Sequence, residues 1–511
     1  MSVEKKLEQM TLREKIGQLF TIGFPSPWPT EEFIQMVKEY KVGNVILFSH
    51  NVGSREELGK LNAYLIQLIE KETGETPFIT IDEEGGVVSR LPKDTAVLPS
   101  AMAQARCRGR IEEGSRIVGE ELKTLGINFN LAPVLDINVN RKNPVIGIRS
   151  FGEDADTVAE CARYAVRGYT KAGILCSGKH FPGHGDTDTD SHLALPLLEK
   201  SMEELEKEEL KPFQALIEEG IPAITISHML VPAMTKEKVP CTMSYEVVTG
   251  YLREKMNYKG LIISDCMEMD AIKKFFGTAT GCVEAVKAGV ELLFISHTAA
   301  IAKEAMDAVE KAALNGSIKM ETINQAVQHI LETKEAIGSM VVEPEKSGTE
   351  QQKEFMRQFI EEALENQDTG EQKEFSLGEM PLFISSIPTG FSRVSEVVSE
   401  GWNFSKEMQE TFGGIAELFD SKDGEERIKE LCSKAENATS VVFATCNANL
   451  DLLQQKLLAK LPRFNNNIAQ IALNSPYDLE YGKNIRFQMA LYEYSRRTVA
   501  NVKKYIKLKS K

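Results

Sequence analysis

Several features are missing from this sequence, and each absence excludes a class of protein. No stretch approaches the roughly 18 uninterrupted apolar residues of a membrane span, so we expect no membrane segment. The first residues are charged and lack the apolar core and small-residue cleavage site of a signal peptide. No two cysteines have a CxxC spacing, and the 8 cysteines are scattered. This pattern favours free thiols in a reducing cytoplasm.

Histidine is scarce, and negative charge outweighs positive charge. The chain has 7 His, 60 Lys and Arg, and 75 Asp and Glu, which give a formal net charge of −15. A surface of this charge repels phosphate backbones, so we expect no nucleic-acid partner. The hydrophobic content of 42% is ordinary for a globular protein. The length of 511 residues allows two or three domains.

The histidines are concentrated in one short run, KHFPGHGDTDTDSH at residues 179–192. It contains three histidines, a lysine and three aspartates. Its proline and glycines break both helices and central strands, so the run is predicted to be a loop. Loops that carry many proton-transfer groups on a rigid scaffold are frequent sites of chemistry.

Two chemistries besides acid–base catalysis compete for this loop. One is zinc binding, with ligands drawn from His180, His184, His192 and either Asp186 or Asp190. The proline and glycines disfavour it, because they prevent a helix on which histidines four apart would share a face. The other is a Schiff base on Lys179. Neighbouring acidic residues would keep that amine protonated, which disfavours attack on a carbonyl.

Up to about residue 340, short apolar runs alternate with helical patterns, which predicts a parallel sheet. Helices are predicted over 54–71, 156–172, 201–219, 245–256 and 301–315. Eight such units indicate a (β/α)₈ TIM-type barrel. A doubly wound open sheet is the alternative, although Gly85-Gly86 does not fit a dinucleotide-binding turn. The predicted strands span residues 17–23, 43–48, 77–82, 128–136, 174–180, 222–228, 260–265 and 290–296.

The composition changes after residue 340 and predicts three regions. Residues 1–340 form the barrel, 341–375 a linker that includes a helix, and 376–511 a smaller α/β sandwich-like C-terminal domain. In the last region, strands are predicted over 380–385, 440–445 and 468–473, and helices over 425–435 and 450–460. The tail from residue 492 is predicted to be helical and then basic.

Polar residues end most of the predicted barrel strands. The carboxyl ends of barrel strands meet at one rim, where the active sites of such folds lie. Their convergence favours a functional site over simple solvation. The residues are Asp82, Asp136, Lys179 with His180, Ser227 with His228, Asp265, and Ser296 with His297.

Glycosidic bond cleavage needs a carboxylate nucleophile and a proton donor. Asp265 is a candidate nucleophile, although a strand-end aspartate is equally suited to bind a metal or cap a helix. His192 is a candidate donor, since an unperturbed histidine has a pKa of about 6.5. Asp190, two residues earlier, would fix its tautomer. A loop held together by Asp–His hydrogen bonds explains the same spacing.

Five ordered motifs resemble those of family 3 glycoside hydrolases, and more narrowly the β-N-acetylglucosaminidase branch. The resemblance covers roughly residues 5–340. Two departures are Val87, where the family more often has arginine after the two glycines, and Cys266 after the candidate nucleophile. The motifs are IDEEGG at 81–86, LAPVLD at 131–136, IRSFG at 148–152, KHFPGHG with DSH at 179–192, and SDxxxM at 264–269.

The resemblance implies a role for each matching residue. Asp265 would be the nucleophile, and His192 the acid/base, partnered by Asp190. Met269 would form an apolar wall beside the sugar. No metal or other cofactor is expected. The residues expected to hold the sugar hydroxyls through charge-assisted hydrogen bonds are Asp82, Arg149, Lys179 and His180.

The sequence therefore predicts a cytoplasmic, retaining, exo-acting β-N-acetylglucosaminidase. Its expected substrates are soluble glycans such as peptidoglycan fragments, and its state as monomer or homodimer stays open. One alternative is a phosphorylase, because a histidine acid/base does not repel phosphate as a carboxylate does. Others are a different β-glycosidase, such as a β-glucosidase, and a non-catalytic sugar-binding protein on a decayed barrel.

Overall fold

The first eight strands form a closed parallel barrel in sequence order, with β1 paired to both β2 and β8. The computed structural model describes residues 2–187, 195–366, 372–388 and 402–508. The predicted (β/α)₈ barrel is confirmed, and the doubly wound alternative is wrong for this region. The strands are β1 Phe20–Ile22, β2 Asn44–Leu47, β3 Phe78–Ile81, β4 Phe129–Asn130, β5 Leu175–Phe181, β6 Ala223–Ile226, β7 Leu261–Cys266 and β8 Leu292–Ile295.

Helices surround the barrel and continue beyond it. A π-helix spans Glu246–Lys255. The α-helices are α1 Val3–Gln9, α2 Leu12–Gln18, α3 Glu31–Tyr40, α4 Arg55–Thr73, α5 Ala101–Gln104, α6 Ile111–Thr124, α7 Ala155–Ala172, α8 Met202–Lys207, α9 Leu210–Glu219, α10 Asp270–Lys273, α11 Thr278–Ala288, α12 Ala299–Leu314, α13 Met320–Ile337, α14 Glu350–Glu365, α15 Phe404–Phe412, α16 Gly424–Asn437, α17 Leu452–Lys460 and α18 Arg496–Val502.

Helix α4 shows how local sequence sets these elements. Ser54 caps the amino end, and Glu57 returns a side-chain hydrogen bond to the Ser54 backbone, which completes a capping box. Gly74 ends the helix in the left-handed region at φ 75°, which glycine adopts without a steric penalty. The predicted helix over residues 54–71 therefore forms nearly as expected.

Two barrel elements differ from their predictions because of proline. The strand predicted over 128–136 is paired regularly only at Phe129–Asn130, because Pro133 has no N–H to give to a ladder. The helix predicted over 201–219 is divided into α8 and α9 at Glu208. Pro212 is tolerated in the first turn of α9, whereas inside a continuous helix it would clash with the carbonyl of residue 208.

The helix predicted over 245–256 forms as the π-helix.

The C-terminal region contains a five-stranded parallel sheet with the order β11-β10-β12-β13-β14, which is a doubly wound order. The predicted α/β class is confirmed. Both edge strands, β11 and β14, were missed by the sequence prediction. The tail forms α18 and then β15, which pairs with β9. The strands are β9 Phe375–Leu377, β10 Pro381–Ser386, β11 Ile415–Phe419, β12 Ser440–Thr445, β13 Ile468–Ala472, β14 Phe487–Ala490 and β15 Ile506–Leu508.

The hydrophobic core joins the barrel to one face of the C-terminal sheet. Phe383 and Val442 from this sheet belong to the same buried cluster as the barrel interior. Their neighbours Leu382 and Val441 belong to a second cluster on the other face, as the period of two in a strand requires. The boundaries predicted at residues 340 and 375 stay predictions. Among the described residues, no helix is both long and apolar enough to cross a bilayer.

Candidate active site

A cavity of about 290 Å³ lies at the carboxyl ends of the barrel strands. Its walls bring together the predicted site residues that the structure describes, although they come from distant parts of the sequence. Asp136, Ser227 and His228 were also predicted at strand ends, but they do not line the cavity. The residues predicted for this rim or for sugar binding that lie in its wall are Asp82, Arg149, Lys179, His180, Asp265, Met269, Ser296 and His297.

Four of the charged side chains at this rim form one connected network. The Lys179 Nζ atom lies 2.7 Å from Asp82 Oδ1 and 2.7 Å from Glu84 Oε1. Arg149 donates two parallel hydrogen bonds of 2.8 Å to the Glu84 carboxylate. This bidentate geometry fixes the guanidinium plane. The network therefore presents two cations and two anions in fixed positions beside the cavity.

Burial and mutual contact determine the charge states in this network. Burial alone would raise the pKa of the Glu84 carboxyl, but the adjacent Arg149 and Lys179 cations lower it overall. Burial would lower the pKa of Lys179, but Asp82 and Glu84 raise it overall. Lys179 is therefore protonated at neutral pH, which argues against its use as a Schiff-base nucleophile.

Asp136 orders the two histidines of the KHFPGHG motif from beneath the cavity. Its Oδ2 atom lies 2.6 Å from His180 Nδ1. Its Oδ1 atom accepts the backbone N–H groups of His180 and His184, at 3.2 and 2.7 Å. Burial would raise the pKa of this carboxyl, but the contact with His180 lowers it overall. Asp136 thus fixes the positions of His180 and His184.

His184 is a buried histidine whose ring contacts Thr187. Burial lowers its pKa to about 4, so its ring is neutral at neutral pH, and its Nδ1 lies 2.7 Å from Thr187 Oγ1. A group that protonates only near pH 4 is a poor acid at neutrality. Among the described residues, no group of three or more His, Cys, Asp or Glu could hold a metal ion. The zinc alternative as a whole is untested, because its candidate ligand His192 lies outside those residues.

Asp265 stands at the end of β7, where its carboxylate reaches the cavity. Its Oδ1 atom accepts the backbone N–H of Cys266 at 2.7 Å. His228 lies behind the same turn, with Nε2 2.9 Å from the Cys266 carbonyl oxygen. Met269 is buried and contributes an apolar part of the wall. The turn after β7 thus fixes the carboxylate in a half-buried position.

Asp190 and His192 lie outside the described residues, so their predicted roles stay predictions. The chain on both sides of them is described. Asp186 comes shortly before them, and Lys200 follows them with Nζ 3.1 Å from Asp186 Oδ2. An ion pair therefore joins the described residues that precede and follow Asp190 and His192 in the sequence.

Residues 11–333 match the sequence profile of the glycosyl hydrolase family 3 N-terminal domain. The chain belongs to glycosyl hydrolase family 3. The predicted family and the predicted enzyme class, a glycoside hydrolase, are therefore confirmed.

Three relatives illustrate this membership. Beta-hexosaminidase A of Pseudoalteromonas piscicida is 34% identical over 279 residues, which cover 51% of this chain and 47% of that protein. The chain thus spans about half the length of that relative. Beta-hexosaminidase of Methylococcus capsulatus is 33% identical over 285 residues, 54% of this chain and 82% of that protein. A solved family 3 β-N-acetylglucosaminidase from Paenibacillus sp. is 32% identical, covers 96% of each chain and has a TM-score of 0.86.

The charged residues of the site that were not predicted from the sequence include Glu84 and Arg90, and also Glu268 and Asp270 in the cavity wall. Glu84 is the centre of the ion network, and Arg90 lines the cavity. Both belong to the segment IDEEGGVVSR, and both are buried despite their charge. The position of Glu84 inside the IDEEGG motif was the available signal, whereas Arg90 lies four residues beyond that motif.

The departure at Val87 falls outside the cavity of about 290 Å³ at the barrel rim. Val87 is buried and lines a separate cavity of about 40 Å³ between the barrel and the C-terminal sheet. Val145 and Arg149 line both cavities. Val87 itself therefore contributes no part of the wall of the larger cavity.

Proposed function

We propose that this chain is a retaining, exo-acting β-N-acetylglucosaminidase. The observation that supports the proposal most is the position of the Asp265 carboxylate in a cavity lined by the Asp82–Lys179–Glu84–Arg149 network, in a family 3 barrel. Such a network suits a neutral polyhydroxyl ligand, because it offers charged donors and acceptors in fixed directions. The names of the Pseudoalteromonas and Paenibacillus proteins favour N-acetylhexosamine over glucose.

The proposed mechanism is a double displacement. The Asp265 carboxylate attacks the anomeric carbon and forms a glycosyl ester, while His192 gives a proton to the departing oxygen. His192 then takes a proton from water, which attacks the same carbon and releases the carboxylate. Two inversions retain the β-configuration. In this proposal Asp190 holds one ring nitrogen of His192, so that the other transfers the proton.

The described residues have distinct tasks in this proposal. Lys179 with Asp82, and Arg149 held by Glu84, would bind hydroxyl groups of the terminal sugar. His180, oriented by Asp136, would bind another. Because these groups are already in place, little reorganisation is needed when the sugar binds. Soluble glycans such as peptidoglycan fragments are the proposed substrates.

Trapping the covalent intermediate tests the nucleophile directly. A 5-fluoro-N-acetylglucosaminyl fluoride should inactivate the protein in a time-dependent manner, and peptide mass spectrometry should place the label on Asp265. Asp265→Asn serves as the control and should acquire no label. A label on another residue would contradict the assignment. Absence of turnover of an aryl β-N-acetylglucosaminide by the wild type would contradict the function.

Product analysis separates hydrolysis from phosphorolysis. The wild type is incubated with substrate in phosphate buffer and in a buffer without phosphate. We expect free N-acetylglucosamine in both. N-acetylglucosamine 1-phosphate as the main product would show that phosphate, and not water, completes the second step.

We also propose that the protein acts in a reducing compartment such as the cytoplasm. All eight cysteines lie in the described part of the chain as free thiols, and Cys266 alone among them is not fully buried. Free thiols of this number suit a compartment that does not form disulfides. Cell fractionation with an antibody against the chain tests the location, and recovery outside the cytoplasmic fraction would contradict it.

A further inference from the structure

The loop between β4 and α7, residues 131–154, connects the sugar-side cavity to the C-terminal sheet. On the cavity side it carries Arg149 and Val145. On the opposite side it carries Asn138 and Arg141, which contact the C-terminal region. This loop is called the β4–α7 loop below. Because it contacts both regions, a shift of the C-terminal region would also displace residues in the cavity wall.

The β4–α7 loop is hydrogen-bonded to His184 and Gly185, which precede Asp190 and His192 in the sequence and are called the stem below. The Asn143 amide donates to the carbonyl oxygens of His184 and Gly185, at 2.8 and 3.1 Å. Its own oxygen accepts the N–H groups of Val145 and Ile146, at 2.8 and 2.9 Å. Asn143 is buried, so these bonds are protected from competition with water. The amide thus ties the stem to the turn that precedes Arg149.

The backbone of the stem at Gly185 also contacts the backbone of the β4–α7 loop directly, at Ile137. A Cβ atom added at Gly185 would lie 1.7 Å from the carbonyl oxygen of Ile137. The two backbones therefore touch at a position where only glycine fits. A displacement of the β4–α7 loop would push on the stem directly.

Tyr477, Asn449 and Glu480 of the C-terminal region contact the other side of the β4–α7 loop, Glu480 through an ion pair with Arg141. Tyr477 Oη accepts a hydrogen bond of 2.9 Å from the buried Asn138 amide, whose oxygen in turn accepts the Gly147 N–H at 3.2 Å. The Asn449 amide donates to the Arg141 carbonyl oxygen at 2.6 Å. The Arg141 guanidinium also lies over the Tyr477 ring, 5.1 Å from its centroid.

We propose that Tyr477 and Asn449 are positioning residues for catalysis, which act through the β4–α7 loop on the stem at His184 and Gly185. The inference rests on the proposed function and extends it, because it gives the C-terminal region a part in the reaction. Neither residue needs to touch the substrate. Their effect is to keep the proposed acid/base at the distance from the departing oxygen that proton transfer requires.

Leaving-group dependence separates this role from a general loss of structure. A dinitrophenyl group leaves as a stable anion and needs no proton, whereas a phenyl group needs one. The value of kcat/KM reports the step in which the leaving group departs. For Tyr477→Phe and for Asn449→Ala, we expect kcat/KM for phenyl β-N-acetylglucosaminide to fall about tenfold, a fraction of the 10²–10⁴-fold worth of a general acid. For the dinitrophenyl substrate, we expect a change of less than about twofold.

Reference variants give the scale of the expected effect. Asn143→Ala should show the same selective loss, and His192→Ala should show a larger one. The wild type and Asp265→Ala establish beforehand that turnover depends on the proposed nucleophile. If turnover by these two proteins does not differ, the result contradicts the proposed function itself. Such a result is distinct from a failure of the positioning proposal, which the leaving-group comparison tests.

Matched controls come from the same region of the chain. Tyr494 is also buried there, and its hydroxyl accepts the Phe404 N–H at 3.1 Å. Asn465 donates to the carbonyl oxygens of Ala435 and Ala438. Tyr494→Phe and Asn465→Ala should leave the ratio of kcat/KM for the phenyl substrate to kcat/KM for the dinitrophenyl substrate unchanged. An equal loss on both substrates for the Tyr477 and Asn449 variants, or the same selective loss in the controls, would overturn the proposal.

Discussion

The carboxyl ends of the two parallel sheets carry different kinds of polar side chain. At the barrel, buried charges are paired with one another around a cavity of about 290 Å³. At the C-terminal sheet, hydroxyls and amides predominate, and the cavity against the barrel is about 40 Å³. The same end of the same kind of sheet is thus built in two ways. At the barrel, paired charges surround a cavity, whereas at the C-terminal sheet mainly uncharged groups contact the neighbouring β4–α7 loop.

Asp265→Ala, at the carboxyl end of the barrel, should have the largest effect on activity of the substitutions at either sheet. Loss of the nucleophile is expected to lower kcat by about 10⁴-fold or more, by analogy with other nucleophile deletions. Steady-state kinetics with a dinitrophenyl substrate checks the loss. Addition of azide should restore part of the turnover and yield the α-glycosyl azide, because azide enters the space of the missing carboxylate. An unchanged kcat would remove Asp265 from the reaction.

Glu84→Gln tests whether the barrel end depends on charge pairing. The change keeps the size of the side chain but leaves Arg149 and Lys179 short of one negative charge in a buried network. A broken buried ion pair costs about 3–5 kcal/mol of unfolding free energy, and we expect kcat/KM to fall as the guanidinium loses its fixed plane. Urea unfolding and kinetics measure the two effects. Unaltered stability would show that the network is more solvated than its burial indicates.

Lys334 lies at the amino end of the same barrel, where the acceptors that its buried amine contacts are uncharged. It shows how a buried charge behaves without a charged partner at hydrogen-bond distance. Its Nζ donates to Gln18 Oε1 at 2.7 Å and to the Gly43 carbonyl oxygen at 3.1 Å. Burial lowers its pKa from 10.5 to about 7. Between these values the unfolded chain binds the extra proton, so the stability of the fold should rise with pH by about 1.4 kcal/mol per pH unit.

Lys334→Met should remove this rise. Unfolding free energies of both proteins are measured by urea denaturation from pH 7 to about pH 9, and the difference between their slopes isolates Lys334 from other titrating groups. Below pH 7 the lysine is protonated in both states, and the two slopes should converge. Parallel slopes above pH 7 would show that the amine stays charged inside the protein.

Ser386→Ala should have the smallest effect and tests the uncharged end. The Ser386 hydroxyl is buried and makes no hydrogen bond within the described residues. Removing an unsatisfied hydroxyl is nearly neutral or stabilising, so we expect the unfolding free energy to change by less than about 0.5 kcal/mol. Activity should be unchanged. A marked loss of activity would mean that this sheet end takes a direct part in binding.

Much of the lining of the cavity at the barrel rim was predictable because its residues follow apolar runs. Asp82, Lys179 and Asp265 each stand where a buried strand ends, and parallel strands in a barrel bring these positions to one rim. Glu84 was not predictable in this way. It lies beyond its strand, and its direction depends on the turn at Gly85 and Gly86, which have φ of 94° and 60°.

The prediction was weaker where proline or an edge position modified the pattern. The strand that contains Pro133 is shorter than its apolar run, because proline cannot join a ladder. Strand β11 was missed since several of its residues are partly exposed, and an edge strand with mixed exposure does not resemble the near-continuous apolar strands of a parallel sheet.

The sequence by itself determined the barrel, the family and the residue types at the strand ends, because these follow from periodicity and from motifs of adjacent residues. Only the tertiary structure decided which charges pair, how buried each one is and what holds the β4–α7 loop. Asn138 and Tyr477 are 339 positions apart and share one hydrogen bond. No local pattern encodes such a contact, because it depends on how two separately formed sheets pack against each other.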